Sequence, residues 1–365
     1  MFSPFMYFKN NKKKATIILV ILALAVFCIA YVVTLIDSVY TTSKEANTSP
    51  FQNLSLVSYI GRNLDENKGR LISELDDQIV IYDVYISSAS IKTVLGTTSA
   101  YLLFLPDRET MDEVMKKCHV TMDTGEKPED HVKQLILHES ILKNKELKVG
   151  DEVNDIKIVG SFHGDITVGF GCMDDAMKDA FRYQSPGYIL MPEDGGSQKL
   201  TDLNQKLRKL DKKEWQITTY QSQLKKLDEE FETTNLIMMI VVIMMAISLS
   251  IAISAFLFSI YSARYNEFAI LNAIGYKLSS IKGVILLEVL FVSALSWVIG
   301  YGLSLAALHL TNILIYEDMG QKMQLFNPNS IGYTMLLPLI SVIFTLVPII
   351  RKLSKTDLIS IIEGR

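Results

Sequence analysis

The chain has 365 residues, 49% of them apolar and 21% charged, with a formal net charge of −4. A mean hydropathy of +0.25 is too apolar for a soluble chain of this size, while the charged share excludes a wholly intramembrane one. Near-neutrality excludes a strongly basic nucleic-acid binder, so the expected protein is part membrane and part aqueous, with no nucleic acid as partner.

Ala15 to Ile36 is an uncharged window of 22 residues preceded by Lys12, Lys13 and Lys14. This is the length a helix needs to cross the hydrocarbon. A signal peptide is the alternative, but Asp37, Ser38, Val39 and Tyr40 make a poor small-residue cleavage site, so the window is read as an uncleaved anchor.

Residues 37–235 are long enough for a folded domain. Strand patterns run over Gln78 to Ile86, Tyr101 to Leu105, Gln134 to His138, Ile156 to Phe162, Ile166 to Phe170, Gly187 to Met191 and Trp215 to Thr219. Helical patterns run over Glu109 to Cys118, after Pro106 and Asp107, and over Lys199 to Leu210. Gly187 to Thr219 reads as a split β-α-β unit. Phe51 to Leu75 has apolar residues enough for a helix, with a break at Gly61 or Gly69. From Gln221 a helical pattern runs without Gly or Pro to Tyr261, about 60 Å at 1.5 Å per residue; a break near Thr233 to Asn235 is the alternative.

Leu236 to Tyr261 is the second uncharged window. In it Ala246, Ser250 and Ser254 repeat every four residues, a small-residue stripe that lets helices approach closely. It is read as a dimer interface or as packing against another span. In the loop that follows, Phe268, Leu271 and Ile274 recur every three residues while Arg264, Glu267 and Asn272 lie off that line. This is a short amphipathic helix along the membrane face or on another protein, ended by Gly275. The third window is Val289 to Leu308. Glu288 sits just before that window and about one turn inside the third span, 283–308, where a carboxylate is costly. It is read as a charge latch with Lys282, Lys277 or Arg264, or as a side chain snorkelling to the headgroups. Ile331 to Ile350 is the fourth.

The expected division is 1–14, first span 15–36, sheet-bearing domain 37–235, second span 236–261, loop 262–282, third span 283–308, short loop 309–330, fourth span 331–350 and tail 351–365. Basic residues dominate 1–14, 262–282 and 351–365, whereas residues 37–235 carry 24 basic and 34 acidic side chains. The positive-inside bias makes both termini and the 262–282 loop cytoplasmic. The fold class is therefore membrane α-helical, with four transmembrane helices and a large extracytoplasmic α/β domain between helices 1 and 2.

Catalytic and metal signals are weak. No Gly-Lys dipeptide occurs, so no phosphate-cradling G-x-x-x-x-G-K-[ST] loop exists. His138-Glu139-Ser140 lacks the second His of a zinc-protease helix and reads as a strand edge. Cys118 and Cys172 share the outer segment, where a disulfide is permitted but spacing does not establish one. His119, His131 and His163 read as scattered surface histidines sooner than as metal or haem ligands.

Arg264, Glu267, Ala273-Ile274-Gly275 and Glu288 resemble the loop signature of FtsX-like permeases, in particular the MacB-like, mechanotransmission ABC transporter permeases. The tail from Pro348 to Glu363 is similar to that family's ending, with Leu358 where a Pro is usual. Thr124 to Pro128, Gln134 to Ser140, Leu147 to Val153 and Ile156 to Gly160 resemble its periplasmic domain. The resemblance implies a non-catalytic permease subunit in a bacterial cell membrane, itself paired as a homodimer or pseudo-symmetric heterodimer. Two copies of a separate ABC ATPase would hold ATP and Mg, with no cofactor on this chain. It implies ATPase-coupling roles for Arg264, Glu267, Phe268, Leu271, Ala273, Ile274 and Gly275. The function expected is export of a hydrophobic or amphipathic substrate (peptide, antibiotic, lipid, lipoprotein or haem). The alternatives are a mechanical regulator of an extracellular partner such as a cell-wall hydrolase, and a receptor or scaffold without energy coupling.

Overall fold

The computed structural model describes residues 11–59, 79–93, 96–183, 187–193, 197–208, 214–326 and 328–355. The second half of the expected Phe51 to Leu75 helix and the tail motif beyond residue 355 lie outside them. The chain divides into a helical unit (1–38, 234–311 and 324–365) and a sheet unit (39–233 with 312–323).

Four helices are long and apolar enough to cross a membrane. They are α1 (Lys12–Thr48), α6 (Tyr220–Ser262), α8 (Leu278–Thr311) and α9 (Pro328–Lys355), with the short α7 (Tyr265–Ala273) between α6 and α8. Each of the four contains a long uncharged apolar window, and α6, which has no Gly or Pro, runs for 43 residues with no break at Thr233 to Asn235. In the helical unit, small residues set the contacts. A Cβ on Gly300 of α8 would stand 2.4 Å from the Ala23 carbonyl oxygen of α1, so only glycine permits that approach. The Tyr31 and Thr311 hydroxyls meet at 2.9 Å, and the Trp297 indole donates to the Thr334 hydroxyl at 3.3 Å.

The sheet unit contains β1 (Ser55–Tyr59), β2 (Ile79–Thr93), β3 (Gly96–Leu105), β4 (Thr121–Gly125), β5 (Gln134–His138), β6 (Glu152–Val153), β7 (Ile156–His163), β8 (Gly169–Cys172), β9 (Gly187–Pro192) and β10 (Trp215–Thr218). Their order is β10-β1-β9-β2-β3-β8-β5-β7-β4, with β6 beside β7. β2 spans the whole arrangement: Ile79 to Val84 pair with β9, and Tyr85 to Thr93 pair with β3. The mixed sheet has two parallel pairs, β3 with β8 and β5 with β7. β1 is antiparallel to both β9 and β10, which makes β9-helix-β10 the expected split β-α-β unit.

Alternation along β3 explains how both faces are covered. Leu103 and Leu105 pack with α2 (Arg108–Lys117) through Met111, Val114 and Met115. Leu102 and Phe104 pack with α3 (Glu139–Lys145) through Ile141 and Leu142. α4 (Asp175–Tyr183) follows β8, and α5 (Ser197–Leu207) presents Leu200, Leu203 and Leu207 to Val57, Tyr188 and Trp215. The Pro-Asp start of α2 works as expected, because the Asp107 carboxylate accepts from the Thr110 N–H at 2.8 Å. Gly150 turns with φ +106°, and Asp151 accepts from the Lys148 N–H at 2.7 Å.

Two readings are corrected. Residues 55–59 form a strand and not part of a helix, because β1 supplies the shared neighbour of β9 and β10. His138 ends β5 and caps α3, its Nδ1 accepting from the Ser140 N–H at 3.2 Å; the strand edge turns directly into a helix there.

Cys118 and Cys172 are both free and buried, within one core cluster. Burial pushes each thiol up to about 12. The folded state therefore keeps its protons where an unfolded chain, ionising near pH 8.5, loses them, and stability falls as pH rises above that value. Between pH 8.5 and 10.5 Cys118 accounts for a loss of roughly 2 kcal/mol, so Cys118→Ala should flatten the alkaline decline in urea melts. Asp107→Ala should cost about 1 kcal/mol at neutral pH in the same melts by uncapping α2.

Candidate functional site

The site is the join between α6, α7 and α8 in the helical unit. Two residues, Ala263 and Arg264, separate α6 from α7 at one end, and at the other α7 stops at Gly275. Gly275 has φ +104° with open space around its missing Cβ, so conformation and not crowding demands glycine. The Gly275 N–H reaches the Asn272 carbonyl at 3.0 Å and the Tyr276 N–H the Leu271 carbonyl at 3.1 Å, the paired bonds of a Schellman cap.

Arg264 starts α7 with its side chain only 4% exposed, and Glu288 on α8 is 1% exposed. Their fork closes through Nη1 to Oε2 at 2.7 Å and Nη2 to Oε1 at 3.5 Å. Arg264 Nε also donates to Glu267 Oε2 at 3.2 Å. The guanidinium carbon lies 5.4 Å from the Tyr261 ring and 5.1 Å from the Phe268 ring, so aromatic faces cover what the carboxylates leave. A second cation enters from α9: Lys352 Nζ lies 4.4 Å from the Tyr265 ring and 5.7 Å from that of Phe258. Phe258, Tyr261, Tyr265 and Phe268, spaced by three, four and three residues, thus form an aromatic ladder that holds one cation of its own segment and one of the fourth span.

The latch partner is corrected. Glu288 pairs with Arg264, while Lys282 donates to the Ser354 hydroxyl at 2.7 Å. Lys282 is six residues before Glu288 and leaves the helix on another side, whereas Arg264 approaches from the neighbouring helix. The apolar line of α7 is corrected as well. Steps of three residues fall about 60° short of a full turn each, so Phe268 and Ile274 lie about 120° apart. Phe268 and Ala269 are buried, whereas Ile270 is 52% and Ile274 70% exposed. The face left open runs through Asn266, Glu267, Ile270, Ala273 and Ile274, and Leu271 lies at its margin.

The small-residue stripe of α6 is committed inside the chain. Ala246, Ser250 and Ser254 are buried, with Ser250 donating to the Leu337 carbonyl at 3.3 Å and Ser254 to the Ser341 carbonyl at 3.2 Å. As a dimer interface it is corrected: α9 already occupies that face.

Other sequence candidates stay apart. His119 meets Asp165 at 3.3 Å and His131 meets Asp175 at 3.2 Å, both exposed. No group of three metal-ligating side chains occurs among the described residues. Lys352 and the aromatic ladder were missed by sequence reasoning; the 258-261-265-268 spacing was the available signal.

Among the described residues, four helices long and apolar enough to cross a membrane are accompanied by a mixed sheet unit between the first and second. Residues 238–358 match the model of the FtsX-like permease C-terminal family. Among curated proteins none matches significantly. The chain is similar to the periplasmic region of MacB from Actinobacillus actinomycetemcomitans at 12% identity and TM-score 0.28, covering 49% of this chain and 94% of that one. It is also similar to the extracellular domain of the noncanonic ABC-type transporter YknZ from Gram-positive bacteria at 11% identity and TM-score 0.27, covering 46% and 100%. Scores this low define no shared site or activity.

Removing one partner of a buried ion pair strands the other in apolar surroundings, at a cost of about 3–5 kcal/mol. Glu288→Leu should lower the unfolding midpoint sharply, and adding Arg264→Met should recover most of the loss, read by thermal melting in detergent. Gly275→Ala should cost about 1 kcal/mol through its positive φ.

Proposed function

We propose that the chain is the permease subunit of an ABC transporter whose ATP and Mg are held by a separate ATPase subunit. The observation that carries this reading is α7: a short helix between the second and third spans, fixed at its start by the Arg264 and Glu288 pair and presenting Ile270 and Ile274 outward. Exposed branched apolar side chains beside Glu267 suit a protein groove. By the positive-inside bias that face is cytoplasmic, and the sheet unit lies outside the cell membrane. The site carries no chemistry of its own; its task is mechanical. A closing ATPase pair would push on α7, and the buried pair delivers the push to α8 while the backbone delivers it to α6. ATP binding must then favour one arrangement of the helices over another.

We place two permease copies over two ATPase copies, as a homodimer or pseudo-symmetric heterodimer. The α6 face bearing Ile240, Met244, Ile247 and Ile251 is exposed in the chain and is left for lipid or the second copy. The work done outside is export of a hydrophobic or amphipathic substrate.

Full-length protein purified from its own membranes in mild detergent should bring down an ABC ATPase with vanadate-sensitive hydrolysis. Ile270→Asp with Ile274→Asp should reduce that recovery at least tenfold without lowering the permease's melting midpoint. Unchanged recovery would remove α7 as the docking element. Loss of the protein should raise substrate retention in cells; a change confined to wall turnover would instead identify a mechanical regulator.

A further inference from the structure

The segment between the third and fourth spans folds as part of the sheet unit. α8 passes at Thr311 into a π-helical turn, Asn312–Tyr316, and the loop then closes on itself. The Asn312 side-chain oxygen accepts from the Met323 N–H at 2.8 Å, its amide donates to Glu317 at 3.0 Å, and the Tyr316 carbonyl accepts from the Gln321 N–H at 2.9 Å. Tyr316 is fully buried and Met323 is 7% exposed.

Two features seat this loop. Asn144 on α3 is 4% exposed, and its carboxamide acts as a peptide group would. Its oxygen accepts from the Lys92 N–H at 2.7 Å, and its nitrogen donates to the Lys92 carbonyl at 2.7 Å and to the Met319 carbonyl at 2.8 Å. One side chain therefore joins the end of β2, helix α3 and the loop. Gly320, at φ +65°, lies so close to α3 that a Cβ would stand 2.5 Å from the Ser140 carbonyl oxygen. Gln321 adds a longer contact to the Lys92 carbonyl at 3.4 Å. Beside the seat, Thr42 and Glu45 of α1 share with Met319 and Gly320 the lining of a cavity of about 210 Å³.

We propose that residues 312–323 are a strap that fastens the third and fourth spans to the sheet unit at Asn144 and Ser140, a third attachment beside α1 and α6. Its use as a transmission line rests on the function proposed above. In that function, displacement of α8 would reach β2 and α3 through the strap. α1 already meets β3 where the Thr98 hydroxyl donates to the Asn47 side-chain oxygen at 3.0 Å; the strap adds a separate hold on β2 and α3.

The seat is tested without any ATPase, so its failure is distinct from failure of ATPase association. Hydrogen exchange is followed by mass spectrometry on the full chain in nanodiscs. In wild type the amides of 317–323 should be protected, and Asn144→Ala should speed their exchange and that of Lys92 at least tenfold while β7 amides keep their rates. Gly320→Val, which leaves Asn144 in place, should do the same to 317–323; it decides the matter if Asn144→Ala exposes β7 as well. Wild-type amides of 317–323 exchanging within seconds, or Gly320→Val leaving them protected, would overturn the strap.

Discussion

A guanidinium and a carboxylate buried together among apolar helices are stable only as a pair, and that mutual dependence organises the helical unit. Glu288 alone would be driven to ionic partners or to the membrane surface; Arg264 alone would have two aromatic faces and one exposed carboxylate. Together they fix the start of α7 against α8, and with the Gly275 cap at the other end they define a short, rigid lever. Lys352 on the Tyr265 ring extends the same logic to α9. Lys352 is solvent-exposed, so this contact contributes about 0.5–1 kcal/mol, a modest tie between the fourth span and α7.

In the function proposed above, the remaining architecture would carry motion of α7 over a distance. α6 is continuous for 43 residues, and α8 for 34 before its π-helical end. In the sheet unit β2 belongs to both groups of strands, β9 on one side and β3 on the other. Motion entering either group is therefore shared through one continuous backbone, with Asn144 holding the far end of β2.

Much of this was legible in the sequence where one period dominates. The four spans follow from uncharged windows, and strands such as Ile156–His163 from a β-branched and apolar run between the turn residues Asn154-Asp155 and Gly164-Asp165. The α2 start was legible because Asp107 acts locally. What failed to show was decided by partners distant in the chain. β1 exists because β9 and β10, more than 120 residues away, flank it. The open face of α7 was misread because a three-residue repeat drifts around a helix, and only the tertiary position of Phe268 tells which side is interior. Ser250 and Ser254 gave no hint whether their neighbour was α9 or a second copy, since both offer the same carbonyls. Glu288 stood out as a costly carboxylate, but choosing Arg264 over Lys282 required knowing which helix lies alongside.

In the function proposed above, the Arg264 and Glu288 pair holds α7 in the form an ATPase subunit recognises. A double-mutant cycle measured on affinity for the co-purified ATPase tests it most directly. Arg264→Met and Glu288→Leu should each weaken binding at least tenfold, and the double variant should bind more tightly than the product of the two losses allows. Full affinity in both single variants, or strictly additive losses, would contradict it.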